Sequence, residues 1–364
     1  MPIHRHRKEE ENTELKTAGI AALICIAAGI GAFIVTDGGE SLNEIISGDD
    51  QKADFTATVS NVITDSDTSA TVTLKSTGDG DVSSRSITVY DLETGETASY
   101  AQSGSECSEP YVFSVTKGSA LRITETDTYQ DGKTASCSKD VIVDEIVKNK
   151  YEFKCQVKDW LTSIIPSFNN KDMKFSYELH FSDYWESICS KSAEERMDQS
   201  SLADFVTPDD PYVKGIADFI KKEMTGFKAT ELETANAILR LSQSFKYVYD
   251  SDQFGCEEYY MKPAELLYTQ KGDCEDHAIF CASVMEALGY DSVLFLIETP
   301  YGGHAAAGVS VPGASGDYQT YNGTRYYFCE ATATYGGNTY INYTSIDIGN
   351  MPDGYTVLKI IPVP

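Results

Sequence analysis

The sequence predicts an N-terminal transmembrane helix, an all-β immunoglobulin-like sandwich and a C-terminal α+β domain. Three observations support this fold class: an uncharged apolar run near the N-terminus, a series of short segments that alternate apolar and polar residues, and a region where helical periodicity gives way to strand periodicity. The chain has 364 residues, of which 41% are hydrophobic. This is enough material for about two to three packed domains.

Residues 18–35 form the apolar run, AGIAALICIAAGIGAFIV, which contains no charged side chain. As a helix it would span about 27 Å, close to the thickness of a bilayer's hydrocarbon core. Four basic residues precede the run and three acidic residues follow it: Arg5, Arg7, Lys8 and Lys16, then Asp37, Glu40 and Glu44. The positive-inside rule therefore places the N-terminus in the cytoplasm.

We expect residues 1–16 to be cytoplasmic and residues 17–36 to form a retained signal anchor. The protein would then be a single-pass membrane protein whose remaining domains are extracytoplasmic. A cleaved signal peptide is the alternative, although the run is longer than a usual signal-peptide core. Both interpretations export the rest of the chain.

The next two segments are predicted as a stalk and a sandwich. Residues 37–52 are rich in Gly, Asp and Glu and are typical of a stalk. Over residues 53–146, segments such as SATVTLKST and SSRSITVYDL alternate with period two, and turn-forming residues separate them. Six or seven such strands predict an immunoglobulin-like sandwich. The region contains no histidine and no catalytic cluster, so we expect a spacer or adhesion module.

Residues 147–209 are predicted as a helical connector, and residues 210–364 as the α+β domain. The segments DPYVKGIADFIKKEM and ETANAILRLSQSFKYVY carry apolar stripes at helical spacing. The later segments DSVLFLIE, HAAAGVSV, RYYFCEAT and YTVLKIIPV are typical of strands. Helices followed by a run of strands indicate an α+β domain.

Charge and cysteine content narrow the class of protein further. The net charge of −27 repels phosphate backbones, so no nucleic-acid partner is expected. Eight of the nine cysteines lie outside the apolar run. In an oxidising compartment, Cys107 with Cys137 and Cys155 with Cys189 are candidate disulfides. The sequence does not determine this pairing.

The segment QKGDCEDHAIFC, residues 270–281, carries the main chemical signal. Gly272 allows a sharp turn, Asp273 is a candidate N-cap, and Asp276 falls where the second member of a capping box lies. Cys274 would then sit at a helix N-terminus, where the helix dipole lowers a thiol pKa while the neighbouring carboxylates raise it. Such a cysteine needs a cationic partner, most plausibly a histidine, to become a nucleophile.

Two histidines follow Cys274 in the sequence. His277 lies one turn further along the same helix, so it cannot readily face an incoming substrate, and we interpret it as structural. His304, in YGGHAAAGVSV, begins a strand among glycines and alanines that leave space for a substrate. His304 is therefore the candidate base.

Glu330 is the candidate third member of the site. In RYYFCEAT it shares a strand face with the aromatic residues Tyr326 and Phe328. A carboxylate on an apolar face is costly unless it is paired, and an imidazole on a neighbouring strand would pair it and orient the ring. A solvent-exposed acid at a strand end is the alternative.

These segments resemble the transglutaminase-like superfamily, including the bacterial transglutaminase-like cysteine proteinases. The resemblance covers about residues 210–345 and rests on KPAELLYTQKGDCEDHAIFCASVMEALGYDSVLFLIE, GGHAAAGV and YYFCEAT. It implies a papain-like α+β fold with Cys274 as nucleophile, His304 as base and acid, and Glu330 as the orienting group. Relatives more often carry aspartate in the third position.

The resemblance also bears on the oxyanion site and on calcium. The usual upstream oxyanion donor does not align, so Gln270, Tyr259 and Tyr260 are candidates beside the Cys274 backbone N–H. Some relatives bind calcium through acids next to the cysteine, and Asp273, Glu275 and Asp276 would permit this. Helix capping explains two of these acids without a metal, so no cofactor is required.

The sequence thus predicts a membrane-anchored extracytoplasmic cysteine enzyme that transfers acyl groups through a thioester. Hydrolysis of a protein or peptide at the cell surface, as by a peptidase or amidase, is favoured over cross-linking because water is the abundant acceptor. The alternative is a non-catalytic cell-surface binding or adhesion module that keeps the fold. A zinc site built from Cys274, His277 and the acids is disfavoured, because a second cysteine or histidine pair is missing.

Overall fold

A computed structural model of the chain describes residues 52–60, 69–78, 80–159, 167–332 and 346–364. The predicted cytoplasmic segment 1–16, the signal anchor 17–36 and all but the last residue of the stalk lie outside these residues. Within the described ranges, no helix is both long enough and apolar enough to cross a membrane. The chain divides into two compact units, Met1–Ile146 with His180–Ser190, and Val147–Leu179 with Lys191–Pro364.

The first unit contains seven described strands in two antiparallel sheets. One sheet has the order β1-β2-β5 and the other β4-β3-β6-β7. The strands are β1 Phe55–Ser60, β2 Ser69–Ser76, β3 Val82–Asp91, β4 Thr97–Ser103, β5 Tyr111–Thr116, β6 Ser119–Tyr129 and β7 Thr134–Val143. A 3₁₀ helix, Gly104–Ser108, and the helix α1, Phe181–Cys189, complete the unit.

A single apolar core joins the two sheets of this unit. It includes Phe55, Val72, Ile87 and Ile123, which have no exposed surface and come from both sheets. The buried Arg85 is also held here, with its Nε 2.8 Å from Oδ1 of Asp127. Alternating apolar residues thus produce the two-sheet layout of a β-sandwich, as the period-two pattern predicts. The immunoglobulin-like topology remains a prediction.

The second unit combines a two-stranded sheet, a group of helices and a mixed-length antiparallel sheet. Its strands are β8 Ile146–Asp159, β9 Ser167–His180, β10 Lys246–Tyr247, β11 Lys271–Gly272, β12 Asp291–Thr299, β13 Gly302–Ser310, β14 Tyr318–Tyr321, β15 Thr324–Cys329 and β16 Thr356–Pro362. Its helices are α2 Ala193–Met197, α3 Pro211–Gly226, α4 Glu231–Ser242, α5 Asp250–Gln253, α6 Pro263–Thr269 and α7 Cys274–Ala287, with a 3₁₀ helix Gln199–Phe205.

Two long strands replace the first part of the predicted helical connector. Strands β8 and β9 pair with each other and cover most of residues 147–180. Tyr151, Phe153, Cys155 and Val157 are buried while the residues between them are exposed. This is strand alternation, which the expectation of helices overlooked. Helices follow only from residue 181 onward.

Helix α7 lies at the centre of the second unit. It packs on β12 and β13 and also contacts α3, α4 and α6. Its residues from Ala278 to Met285 have no exposed surface, so the helix is apolar all round rather than amphipathic. The sheet has the order β14-β15-β13-β12-β16. The four strands predicted from DSVLFLIE, HAAAGVSV, RYYFCEAT and YTVLKIIPV are present in it.

None of the eight cysteines in the described part of the chain is in a disulfide. The predicted disulfides, Cys107 with Cys137 and Cys155 with Cys189, are therefore not formed. The Cys137 thiol lies 3.8 Å from Oδ1 of Asp54, and the Cys155 thiol lies 3.6 Å from the Met224 sulfur. Sequence separation alone could not reveal these other partners.

Candidate active site

A short parallel pairing leads the chain into Cys274. Tyr247 of β10 lies opposite Gly272 of β11, two residues before the cysteine. Asp276 completes the predicted capping box by accepting the Asp273 N–H at 3.2 Å. A Cβ atom on residue 272 would approach Oδ2 of Asp276 to 2.6 Å, so Gly272 makes room for this carboxylate. The predicted capping role of Asp276 is confirmed, and Cys274 is the first residue of α7. Gly272 lies in β11, so the structure requires glycine there for space and does not show the predicted sharp turn.

The Cys274 thiol is buried and hydrogen-bonded to a carboxylate. Its side chain belongs to a residue only 6% exposed, and Sγ donates to Oε2 of Glu275 at 3.0 Å. Burial raises the thiol pKa well above its usual 9.0, and the charges of Glu275 and Asp273 raise it further. A backbone hydrogen bond from Ala305 acts in the opposite direction. The resting cysteine is therefore a neutral thiol.

His304 and Glu330 are in direct contact. Nε2 of His304 lies 2.9 Å from Oε2 of Glu330, and both side chains are largely buried. His304 is on β13, opposite Ile297 of β12, while Glu330 follows the last residue of β15, which pairs with β13. The structure thus brings these two predicted residues together. It brings Cys274 to the backbone of Ala305, the residue next to His304.

The electrostatics of the two residues match an ion pair. Burial disfavours a charged imidazole, but the Glu330 carboxylate outweighs burial and raises the pKa of His304 above its usual 6.5. Burial likewise favours a neutral acid at Glu330, but His304 outweighs it and lowers the pKa of Glu330 below its usual 4.5. Each partner thus stabilises the charged form of the other.

Neighbouring groups fix the chain around Glu330. Its second oxygen, Oε1, accepts from the Thr332 hydroxyl at 2.6 Å and the Thr332 N–H at 3.1 Å. The buried Gln243 donates to the Glu330 carbonyl at 2.8 Å and to the Ile346 carbonyl at 3.0 Å. His277 is also buried, with Nδ1 3.3 Å from the Ala331 carbonyl. Burial lowers the pKa of His277 to about 4, which agrees with its structural interpretation.

The three candidate oxyanion residues lie in different surroundings. Nε2 of Gln270 donates to the hydroxyls of Tyr151 and Tyr177 and to the Leu267 carbonyl, so its amide is used in anchoring the β8–β9 pair. The Tyr259 ring lies under the Arg196 guanidinium, 4.9 Å from its central carbon. Tyr260 is buried, with 3% of its surface exposed, and it lies near the acids beside Cys274. Burial raises the pKa of its phenol, and the charges of Glu258, Glu275 and Asp273 raise it further.

Two further residues near Cys274 were not predicted. Burial raises the pKa of the Tyr247 phenol, and the next causes are Cys274 and Asp273, which places Tyr247 beside the thiol. Asp250 lies with Asp273 and Asp276 in a group of buried carboxylates whose oxygens are within 4.8 Å of one another. Asp250 is the first residue of α5, whose N-cap is Tyr249, and its carboxylate accepts the Tyr259 N–H instead of capping the helix. No local signal links Tyr247 to a cysteine 27 residues later.

Asp250, Asp273 and Asp276 form one of two groups in the described part of the chain that could hold a cation, and the other is Asp273, Cys274 and Glu275. Asp276 accepts the Met261 N–H at 2.7 Å as well as that of Asp273, and Asp250 accepts the Tyr259 N–H. Oδ1 of Asp273 is buried without a hydrogen-bond partner. Burial raises the pKa of Asp273, and its acidic neighbours raise it further. A calcium ion would satisfy this oxygen, so the group fits such an ion.

The chain was compared with known proteins and solved structures. No curated protein matches the chain. A TGase crystal structure has 12% identity and a TM-score of 0.28, covering 52% of this chain and 46% of its own, so the chain spans about half of that protein's length. A candidate cysteine protease from Cytophaga hutchinsonii has 11% identity and a TM-score of 0.26, covering 81% of this chain and 86% of its own. Residues 218–315 match the model of the family described as Transglutaminase-like domain, so this part of the chain is similar to that family.

Proposed function

We propose that the second unit is a cysteine hydrolase that cleaves an amide or peptide bond through a thioester, with Cys274, His304 and Glu330 as its catalytic residues. The observation that carries this proposal is the buried 2.9 Å contact between His304 and Glu330 on the strands beside the helix that begins with Cys274. A histidine oriented by an acid is the base that a cysteine needs for nucleophilic catalysis.

The contact assigns a role to each ring nitrogen. When His304 is neutral, its Nε2–H donates to Glu330, which leaves Nδ1 to accept the Cys274 proton and form the ion pair with Glu330. The thiolate then attacks the carbonyl carbon, and the tetrahedral intermediate collapses as the C–N bond breaks and His304 returns the proton to the leaving amine. Water, deprotonated by His304, adds to the thioester and releases the acid and the thiol. The Cys274 N–H, with the hydroxyl of Tyr260 or Tyr247, would bind the oxyanion.

The neutral resting thiol determines when the proton moves. Burial, Glu275 and Asp273 raise the pKa of Cys274, so a preformed thiolate is not part of this proposal. Instead His304 removes the proton as the substrate carbonyl is attacked, in the way that a base serves a hydroxyl nucleophile. Exclusion of water from the buried site by the substrate would strengthen both the ion pair and the oxyanion contacts.

The state of the Cys274 thiol also favours a second candidate function, a non-catalytic surface module that keeps the fold. A buried thiol hydrogen-bonded to a carboxylate, with a strongly raised pKa, is also the state of an inert structural cysteine. The first unit suits such a role, because its sheet orders β1-β2-β5 and β4-β3-β6-β7 support the predicted immunoglobulin-like sandwich.

Location and substrate class are proposed from the sequence. We propose a signal anchor at residues 17–36, which would place both units outside the cytoplasm and make a protein or peptide at the cell surface the substrate. Hydrolysis is proposed over cross-linking because water is the abundant acceptor there. Protease protection of the C-terminal unit in intact cells would contradict this location.

Calcium is proposed as an accessory ion only. Asp250, Asp273 and Asp276 would hold it, and it would offset the negative charge beside Cys274 without taking part in bond breaking. Glu275 lies in a different group, with Asp273 and Cys274. The predicted trio of Asp273, Glu275 and Asp276 therefore differs from the group whose three members are all buried.

The decisive experiment measures turnover by the full chain in detergent on a casein-derived fluorogenic peptide mixture. We expect Cys274→Ala and His304→Ala to abolish cleavage, and Glu330→Gln to lower it by roughly a hundredfold or more. Cys256→Ala, a half-buried free thiol of the same unit, is the matched control and should keep full activity. Equal cleavage by the wild type and Cys274→Ala would refute the enzyme and leave the surface module.

A further inference from the structure

A buried ion pair joins two short helices beside the candidate active site. Arg196 on α2 and Glu265 on α6 form two parallel hydrogen bonds, 2.8 Å from Nη1 to Oε2 and 2.9 Å from Nη2 to Oε1. Both side chains are at least 98% buried. Such a pair gains little stability over an apolar replacement, so its geometric specificity calls for a further explanation.

The Arg196 guanidinium also contacts the segment that precedes α6. Nη1 of Arg196 donates to the Tyr260 carbonyl at 2.8 Å, and the Tyr260 N–H donates to the Arg196 carbonyl at 2.9 Å. The central carbon of the guanidinium lies over the Tyr259 ring, 4.9 Å from its centroid. A lysine could not make this set of contacts, because it is a point charge without a planar fork. Arg196 therefore fixes both Tyr259 and Tyr260.

Helix α7, which begins with Cys274, contacts Met261, the residue after Tyr260. The Met261 N–H donates to Oδ1 of Asp276 at 2.7 Å, and Oδ2 of the same carboxylate accepts the Asp273 N–H at 3.2 Å. Asp276 has little freedom to adjust, since Gly272 leaves space for it and for no Cβ atom. Residues 260 and 261 are thus held by the ion pair on one side and by the first turn of α7 on the other.

We propose that Arg196 and Glu265 are positioning residues for Cys274, which act by clamping residues 259–261 against Asp276. Glu265 orients the guanidinium, the guanidinium places Tyr260 and Met261, and Met261 keeps Asp276 in its capping position at the start of α7. The catalytic part of this inference rests on the function proposed above, whereas the clamp itself does not.

Hydrogen exchange tests the clamp without any substrate. Arg196→Gln should raise exchange of the Met261 and Asp273 amides roughly tenfold below the melting temperature, because their acceptor becomes mobile. The paired variant Arg196→Met with Glu265→Met removes both charges and avoids leaving one buried alone. It should fold with a melting temperature near that of the wild type and still show the faster exchange.

Acylation of Cys274 by 4-nitrophenyl acetate tests the consequence for the thiol. The thiol sulfur takes the acetyl group, 4-nitrophenolate leaves, and the thiol proton passes to His304. The first-turnover rate should fall roughly tenfold in Arg196→Gln and in the paired variant, with Arg196→Lys in between and with little change in the half-saturating ester concentration. Arg85→Gln removes the cation of a comparable buried ion pair in the first unit. It should change neither the exchange of the Met261 and Asp273 amides nor the acylation of Cys274.

The outcomes separate the two proposals. Wild-type exchange and acylation in the paired variant would show that the ion pair is only structural and would overturn the inference. Faster exchange with an unchanged acylation rate would overturn the positioning role. Acylation that is equal in the wild type and in Cys274→Ala would instead refute the proposed enzyme, while the exchange rates still decide whether the clamp exists.

Discussion

His304 and Glu330 meet through Nε2 and Oε2 at 2.9 Å, across the gap between a strand and the end of its neighbour. The Tyr355 ring lies against the imidazole at 5.6 Å, edge to face, and the His304 side chain is 11% exposed. Because Glu330 occupies one ring nitrogen, the proposed transfer of the Cys274 proton uses the other. The pair is therefore both a stabilising contact and the orienting element of the proposed chemistry.

Replacing Glu330 by Gln should reduce stability in a limited pH range. The pKa of His304 is raised, so its contribution is complete below about 6.5 and is lost as pH rises through the higher folded value. The pKa of Glu330 is lowered, so its contribution is present above about 4.5 and is lost as pH falls through the lower folded value. The gap in melting temperature between wild type and variant should be widest between these limits.

Thermal unfolding of both proteins over a pH series measures this gap. Thr332→Val, which removes one hydrogen bond to Glu330 but leaves the ion pair, is the control and should give a loss that varies less with pH. A gap that widens steadily from pH 6 to pH 8.5 would contradict the ion pair.

Replacing Glu275 by Gln should make Cys274 more reactive. The carboxylate lies 3.0 Å from the thiol, and it is the largest cause after burial of the raised pKa of Cys274. One pKa unit changes the thiolate fraction roughly tenfold at neutral pH, so iodoacetamide should alkylate the variant about ten times faster. Glu286→Gln, at the other end of the same helix, should leave the rate unchanged, and a slower reaction of Glu275→Gln would count against the argument.

Local features of the site could be predicted from the sequence, while its long-range partners could not. Gly272, Asp273 and Asp276 form a turn and helix start whose spacing is visible within five residues. Gln270 was predicted as an oxyanion donor, but its amide is engaged by Tyr151 and Tyr177, which lie on strands more than 90 residues away. Only the folded chain brings such groups together.

The strands β8 and β9 and the clamp at Tyr260 illustrate two different causes of error. The alternation of β8 was present in the sequence, and the prediction of helices there came from overlooking it. Arg196 carried no such signal, because a single arginine in SAEERM looks like part of a solvated helix face. Its burial depends on Glu265, which the sequence places 69 residues later.

Replacing Gln243 by Leu should destabilise the second unit. The side chain donates to the carbonyls of Glu330 and Ile346, and it accepts from Arg240 at 3.0 Å. Leucine has a similar volume but leaves the buried Glu330 carbonyl without this donor, which costs about 1–3 kcal/mol. The half-buried Ile346 carbonyl loses the same donor and should add less. Urea denaturation should show the loss as a lower midpoint at an unchanged slope.

A matched control for Gln243 is Gln253→Met in the same unit. The Gln253 side-chain amide donates to the Met261 sulfur at 3.8 Å, and methionine should keep most of the packing. We expect its midpoint to move by less than half as much. A Gln243→Leu midpoint equal to that of wild type would mean that the Glu330 turn does not depend on this side chain.

Calcium should raise the melting temperature of the wild type, and Asp273→Asn should remove this response. Asp250, Asp273 and Asp276 are buried together, and burial is the first cause of the raised pKa at each of them. Without a cation, the three carboxylates either repel one another or must bind protons. In the presence of a chelator, Asp273→Asn should therefore be more stable than the wild type. With calcium at about 100 times its dissociation constant, the wild type should gain about 2.7 kcal/mol.

Thermal shift with calcium, magnesium or a chelator tests this expectation, and direct titration calorimetry checks the stoichiometry. Magnesium should act weakly, because it demands a tighter octahedral site than three backbone-bound carboxylates offer. Asp209→Asn, an exposed acid paired with Lys214, is the control and should respond to calcium as the wild type does. If calcium leaves the wild type unchanged while Asp273→Asn is still the more stable protein, the acid group holds protons rather than a cation, and its role is to cap α7 beside Cys274.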